Sequence, residues 1–515
     1  MVNKVRNVSP LESIEATASL CVGLSGSAHH ACAAITDGQE ILGVCEQERV
    51  TRVRAAGFNA TGFPDEALNL LLSRAGKDRS AIRQYIVAED GLSSTVDKVS
   101  PMDRHMAHAC ASFLSSSLCS AAIVVCDHKS PMVSVWIGNG SEVMPVKWPW
   151  RGPGFCELYS SCAKLMNLGG AGDQRFEALA RLRPEHREDW LCDEFNTDGT
   201  TLHLEDGWET RILDWRQHST ASGITGSSGC AAALQRRISD LLLLFLARVR
   251  KVTQSESLCL AGSLFYHSSI NTAVRTSDLF DRVFIPVDPS EAGLAVGAAL
   301  HESRDRSKPL SPFLGPAYTS DEVKATLDNC KVQYIALTES EAVETAVSAL
   351  RKGQLVGWYE GAMEWGQRAL GGRSILANPF APFVLENLNR FLKHREPWRG
   401  YALSALKPAV DRYFDGPTEA PFMECDFRCR DLDTFRSVLP MPEAAVRIHI
   451  AGEETPRRFR KVLEAFGATC GIPCVVNTSF NGFHEPIVCS PRDAIRVFYS
   501  SGVDLLILDR FLLTK

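Results

Sequence analysis

The chain has no apolar run long enough to cross a membrane; its strongest, LLLLFLA at 241–247, has the length of a buried helix segment. It has no excess of either charge. A formal net charge of −6 over 515 residues and a pI of about 6.1 give no global attraction to nucleic acid or to an acidic membrane surface. It has no Cys-x-x-Cys pair among its seventeen cysteines, and Cys425 and Cys429 lack a further Cys or His at zinc spacing. Cys45, Cys126, Cys259 and Cys474 instead sit in apolar runs, where reduced cysteine acts as a small hydrophobe. The odd count, with no secretory leader, sets the expectation of a cytoplasmic protein. No Gly-Lys-Ser/Thr closes a phosphate loop, and no internal repeat or low-complexity tract appears.

What is present is an ordinary globular composition, 45% hydrophobic and 23% charged, in a chain long enough for two or more domains. Residues 1–18 are polar and aperiodic and read as an extension. LCVGLSG (20–26) is a short apolar run, and HHACAAITDGQEILGVCEQER then reads strand, turn, strand around an Asp37-Gly38 hairpin signal. This start suits an actin/Hsp70-type fold. PDEALNLLLSRA (64–75) has apolar residues at helical spacing behind a proline. The next stretch predicts a helix over about 104–116 and a buried strand, AAIVVCD, ending at Asp127. His105 and His108 fall one turn apart, and with a carboxylate at the strand end they could join in metal ligation. LCLAGSLFYHSSINTAVR (258–275) reads strand, turn, helix, with Gly262 at the turn and Asn271 in the helix. A helix start there can receive phosphate or ribose on backbone N–H groups, and a plain strand-to-helix turn reads equally well. The proline-rich, aperiodic stretch 301–320 reads as a linker. Beyond it, a Thr338-x-x-Glu341 capping box opens a helix that closes at Gly353. Strand, loop, helix and strand patterns then follow, making a second α/β domain.

One stretch concentrates chemistry. GWYEGAMEWGQRALGGRSILANPF, from Gly357, sets Gly361, Gly366, Gly371 and Gly372 around Arg368 and Arg373. NLNRFLKHREPWRG then adds Arg390, Lys393, His394, Arg395 and Arg399. Glycine lets backbone approach a ligand closely, and the planar arginine fork suits phosphate and carboxylate oxygens. The pattern predicts a pocket for a small anion; the bland alternative is a solvated basic loop.

EWGQRALGGRSILANP, KHREPWRGYA and NTSFNGFHEPIV (477–488) follow one another as they do in the O-carbamoyltransferases. The chain resembles that family, which includes the nodulation-factor, cephamycin and tobramycin carbamoyltransferases, over nearly its whole length from residue 20. The resemblance implies an α/β fold with an actin/Hsp70-like (ASKHA) domain over 19–305, a linker over 306–330 and a YrdC-like α/β domain over 331–515. It implies ATP, with Mg, and carbamoyl phosphate as co-substrates. The carbamoyl-phosphate residues carried over are Arg368, Arg373, Lys393, Arg395, Arg399, Asn477 and Ser479; those for the nucleotide are Gly262, Asn271 and Arg175. His29 or His30 would be the general base on an acceptor hydroxyl, and iron or another divalent ion would sit at His108, Asp127 and Glu291 as a Lewis acid.

The chain also departs from the family pattern. Arg104 stands where the first histidine of HHxxHA is expected, and a fixed cation at a ligand position opposes a metal on charge alone; it is therefore counted with the catalytic candidates. Glu291 replaces an Asp, Arg175 a Lys and Glu177 a Met, while Ala261 and His267 stand for a Gly and an Asn. Asp127 is followed by HKSP rather than by glycines. HIAGEETPRR (449–458) lacks the Asp and Thr of the family's His-Val-Asp-Gly-Thr-x-Arg run. The function expected is ATP-dependent transfer of a carbamoyl group, through a carbamoyl-adenylate, to a hydroxyl of a small metabolite in natural-product (antibiotic-type) tailoring. No nucleic-acid or membrane partner is expected, and the sequence leaves the oligomeric state open. An adenylate-forming ligase or cyclase and a non-catalytic nucleotide-binding regulator are the alternatives.

Overall fold

The computed structural model describes residues 19–89, 98–169, 172–218, 223–303 and 309–515. The expected extension at 1–18 and the expected boundary at 305/306 lie outside them. Five strands form the first sheet: Leu20–Ser25 (β1), Cys32–Thr36 (β2), Ile41–Glu46 (β3), Ile82–Val87 (β4) and Val99–Pro101 (β5). Their order is β3-β2-β1-β4-β5, antiparallel across β3-β2-β1 and parallel across β1-β4-β5. The predicted hairpin at Asp37-Gly38 joins β2 to β3, with Gly38 in the left-handed region (φ 88°).

The second sheet begins with Ser120–Cys126 (β6), Val133–Asn139 (β7) and Glu142–Val146 (β8). After a small hairpin, Phe195–Thr197 (β9) with Leu202–Leu204 (β10), it is completed by Ser257–Ala261 (β11) and Arg282–Phe284 (β12). Its order is β12-β11-β6-β7-β8, again antiparallel over three strands and parallel over the last two steps. Counted from its own first strand, each sheet runs third-second-first-fourth-fifth. The domain is thus a topological duplication, the actin/Hsp70-like arrangement implied by the sequence, although no residue repeat marks it.

Two helices, Arg104–Leu114 and Glu291–His301, pack on each other and share one core with both sheets. Their approach is close because glycine faces backbone: a Cβ on Gly297 would lie 1.9 Å from the Ala107 carbonyl oxygen. A larger cluster packs Phe155–Leu165, Gly172–Ala180, Gly223–Thr253 and Ser268–Arg275 behind the second sheet. In the 31-residue helix Gly223–Thr253 the run LLLLFLA buries Leu241, Leu242, Phe245 and Leu246 and exposes Leu244. No helix among the described residues is long and apolar enough to cross a membrane. The cysteines form no disulfide, and most are buried.

The C-terminal half is built on one mixed sheet of ten strands. They are Ile335–Ala336 (β13), Val356–Tyr359 (β14), Arg373–Ala377 (β15), Ala402–Leu406 (β16), Phe414–Asp415 (β17), Cys425–Cys429 (β18), Val446–Ala451 (β19), Cys474–Ser479 (β20), Leu505–Leu508 (β21) and Phe511–Thr514 (β22). The predicted capping box is present: Thr338 N donates to Glu341 (2.8 Å) and Glu341 N to Thr338 Oγ1 (3.3 Å). The stretch expected as linker carries a capped helix, Ser320–Cys330, and is tied to both halves. Val44 N donates to Leu314 O on one side, and Trp365 N to Pro312 O on the other.

Candidate active site

At the start of the Arg104–Leu114 helix the Asp103 side chain caps the helix by accepting from Met106 N, which leaves Arg104 at the first helical position pointing into the domain centre. Its Nε donates to Asp127 Oδ2 (2.5 Å), and its two terminal nitrogens donate to Glu291 (2.6 and 3.2 Å). Asp127 arrives from the end of β6, and Glu291 from the first turn of the Glu291–His301 helix. Ser263, just after the sharp turn at Gly262, donates to the second oxygen of Asp127 (2.9 Å). Gly262 has φ 98°, and a Cβ there would meet the Cys126 carbonyl at 2.1 Å, so only glycine brings this turn against Asp127. Burial alone would raise Asp127, but His108 and Arg104 hold it well below the usual carboxylate range. His108 is buried with Nε2 3.5 Å from Asp127, and His105 Nδ1 lies 2.6 Å from Ser134 Oγ.

A second charged cluster lies where the halves meet. Glu177 accepts from Ser268 N (2.8 Å), pairs with Arg181 one turn along its own helix (2.8 Å), and receives Arg447 from β19 (3.2 Å). Asp426 from β18 accepts from Arg181 Nε (2.9 Å) and Ser269 Oγ (2.6 Å). Arg368 lies over the Tyr266 ring (4.2 Å) and donates to the Tyr266 carbonyl (3.1 Å). Arg395 lies over Tyr401 (4.0 Å), while Glu396 pairs with Arg175 (2.7 Å) and approaches Arg399 (3.8 Å). Burial and then Arg395 push Arg399 down to about 10; burial and then Arg368 do the same to Arg447. Among the described residues Arg175, Arg181, Arg368, Arg395, Arg399 and Arg447 outnumber the carboxylates they face, Glu177, Glu396, Asp426 and, near Arg368, the buried Asp288. That excess of half-buried cations suits a polyanion. Beside it opens a cavity of about 580 Å³, lined among others by Gln235, Arg236, Ser269, Thr272, Asp426 and Arg428.

Two family models match, carbamoyltransferase N-terminus over residues 164–300 and carbamoyltransferase C-terminus over 347–515. The chain belongs to the carbamoyltransferase family. An uncharacterized protein of Synechocystis, sll1178, is 26% identical over 96% of both chains. Nodulation protein NolNO of Sinorhizobium fredii is 24% identical over 96% of this chain and 82% of its own length. Nodulation protein NolO of Bradyrhizobium diazoefficiens is 30% identical over 55% of this chain, a match spanning about half, 54%, of that protein.

Within this carbamoyltransferase-family chain the residues singled out from sequence fall into distinct settings. Arg368, Arg395, Arg399 and Arg175 meet at the junction. Arg373 does not join them. It is fully buried beneath Tyr359 (3.5 Å), and its terminal nitrogens donate to the carbonyls of Glu360, Gly361, Gly372 and Pro316, so it holds the glycine loop. Lys393 spends its three protons on Ser479 O, Asn481 O and Asn481 Oδ1. Asn477 donates to Ala369 O and Ser404 Oγ, and Ser479 Oγ to Asn481 Oδ1. Asn271 is buried, its amide donating to Phe265 O and Glu424 O, so it stitches the halves rather than facing the cavity. His29 and His30 are exposed on the turn after β1, next to Ser25, which donates to the Glu291 carbonyl (2.7 Å).

The implied metal does not suit the residues present. The Arg104 guanidinium engages both Asp127 and Glu291, and among the described residues no group of three or more His, Cys, Asp or Glu is arranged to hold an ion. Sequence reasoning missed Arg181, Asp426 and Arg447 entirely. Only the Glu177/Arg181 spacing of four on one helix could have flagged part of that network.

Proposed function

We propose that this chain is an ATP-dependent O-carbamoyltransferase that moves the carbamoyl group of carbamoyl phosphate, through a carbamoyl-adenylate, onto a hydroxyl of a small metabolite. The observation that carries this is the excess of arginines over carboxylates at the junction. Burial first, and neighbouring arginines second, lower Arg399 and Arg447, and an anion placed among them would offset that penalty. Arg368, Arg395 and Arg399 take the phosphate, and the glycine loop held by Arg373 brings backbone up to it. The 580 Å³ cavity beside Asp426 is of the size that encloses a nucleoside, and Mg arrives with ATP. His29 or His30, on the exposed turn after β1, takes the hydroxyl proton.

Family membership supports the transfer chemistry. A second reading, an adenylate-forming ligase or cyclase, is favoured by one feature, the Arg104 guanidinium held between Asp127 and Glu291. The test is product mass with ATP, carbamoyl phosphate and a panel of hydroxylated metabolites. A gain of one carbamoyl group supports transfer, and a loss of water supports the ligase. Nucleotide binding without turnover indicates a regulator.

A further inference from the structure

The Arg104 centre is saturated in an unusual way. One guanidinium reaches two carboxylates from different strands and helices, with Asp127 on its Nε and Glu291 on its two terminal nitrogens. Asp127 is almost wholly enclosed, its side chain 1% exposed, while that of Glu291 is 27% exposed. The two faces of the fork are therefore unequal: the Asp127 face is anchored, and the Glu291 face opens outward. Despite burial, Glu291 and Asp127 hold the Arg104 pKa above its ordinary value, so the charge is permanent. Beside them His108 is buried with Nε2 3.5 Å from Asp127, the same carboxylate that Arg104 engages, and its Nδ1 is buried without a hydrogen-bond partner.

We propose that Arg104 takes the place of a divalent ion here: the centre works without a metal, and the Glu291 face of the guanidinium presents its charge to an anionic oxygen of the substrate. The proposal rests on the carbamoyl-transfer reading for the identity of that oxygen only. As the oxygen arrives, Glu291, the looser partner, swings away while Asp127 keeps the fork aimed. A transition metal added to this arrangement would meet a cation that cannot lose its proton. Replacing Arg104 by histidine would instead supply an imidazole four residues before His108 on the same helix face, next to Asp127 and Glu291, a donor set suited to Zn or Fe.

The test is elemental analysis of the full chain purified from metal-replete medium. It is joined by thermal unfolding of wild type and Arg104→His with Zn²⁺, Mn²⁺ or Fe²⁺ alone, against chelator. Wild type is expected to carry well under one transition metal per chain and to melt at the same temperature with metal and with chelator. Arg104→His is expected to melt lower in chelator, bind about one metal per chain, and regain its melting temperature as metal is added. About one tightly held transition metal per wild-type chain would overturn the proposal, and so would a folded Arg104→His that takes up none. Should Arg104→His fail to fold, the wild-type metal content still decides. These readouts stand whether or not carbamoyl transfer is found, so the two readings fail separately.

Discussion

At the residue scale, two arginines of the one glycine- and arginine-rich stretch, Arg373 and Arg399, do opposite jobs. Arg373 is enclosed and satisfies four carbonyls, so Arg373→Met should cost about 3 kcal/mol or more, since each orphaned buried acceptor costs roughly 1–3 kcal/mol. Arg399, by contrast, sits among like charges. Arg399→Met should leave the urea midpoint unchanged or slightly raised while weakening carbamoyl-phosphate binding by about 1.5–3 kcal/mol in calorimetry. Equal stability losses in the two variants would remove the distinction. Lys393 gives a pH signature. Burial, then Arg395, lowers it to about 7, against about 10.4 unfolded. The unfolded chain then holds the extra proton between about pH 7 and pH 10.4, so this group makes stability rise with pH across that window. Below about pH 7 both states are charged and the burial penalty is fully present. Urea midpoints should climb from pH 7 to pH 9 in wild type and climb less in Lys393→Met. Identical slopes would mean that the three acceptors around Lys393 keep it charged.

At the element scale, what was legible in the sequence is what local chemistry dictates. The Asp37-Gly38 hairpin, the helix behind Pro64, the helix that starts at Arg104 and the Thr338 capping box each announce themselves within a few residues, and each is in place. The helix from Arg104 ends at Leu114, two residues before the expected 116, because Ser115 and Ser116 turn their hydroxyls back onto helix carbonyls. The duplicated sheet was not legible, since topology repeats here through strand pairing and not through residue identity. The long helix from Gly223 opens on GITGSSG, where glycine and serine argue locally for a loop; burial of its Ala and Leu face overrides them. Packing of the Glu291 helix against the Arg104 helix depends on Gly297 meeting Ala107 backbone. Gly297→Ala must push the helices apart, and should cost about 1–3 kcal/mol through overpacking. Because Arg104 and Glu291 ride on those two helices, their ion pair should loosen as well. A variant with wild-type stability in urea would show that the helices shift without strain.

At the scale of the whole molecule, the proline-rich stretch 301–320 reads in the sequence as a linker between two domains, yet the halves are joined by buried polar contacts that sequence spacing cannot reveal. Arg447 and Glu177 are 270 positions apart. Arg49, fully enclosed, donates to Gly366 O, and Gly366 N donates to Glu46 (2.7 and 2.8 Å). Arg52 reaches the carbonyls of Pro486 and Ile487 (both 2.6 Å), and Arg275 pairs with Glu424 (2.9 Å). Interfaces between domains in one chain are more often small and mobile; this one buries charges whose partners lie on the other side. Separating the halves would leave Arg49, Glu177 and Asp426 short of partners, and breaking a buried pair from one side costs about 3–5 kcal/mol. The two halves should therefore unfold together. Tryptophan fluorescence and far-ultraviolet circular dichroism should trace one coincident urea transition. Arg49→Met should shift the whole curve rather than split it, because its loss strains both halves at once. A fragment spanning 331–515, deprived of Arg49 and Glu177, should aggregate or remain unfolded. Two resolved transitions, or a soluble fragment that binds carbamoyl phosphate by itself, would mean that the junction forms only after each half has folded.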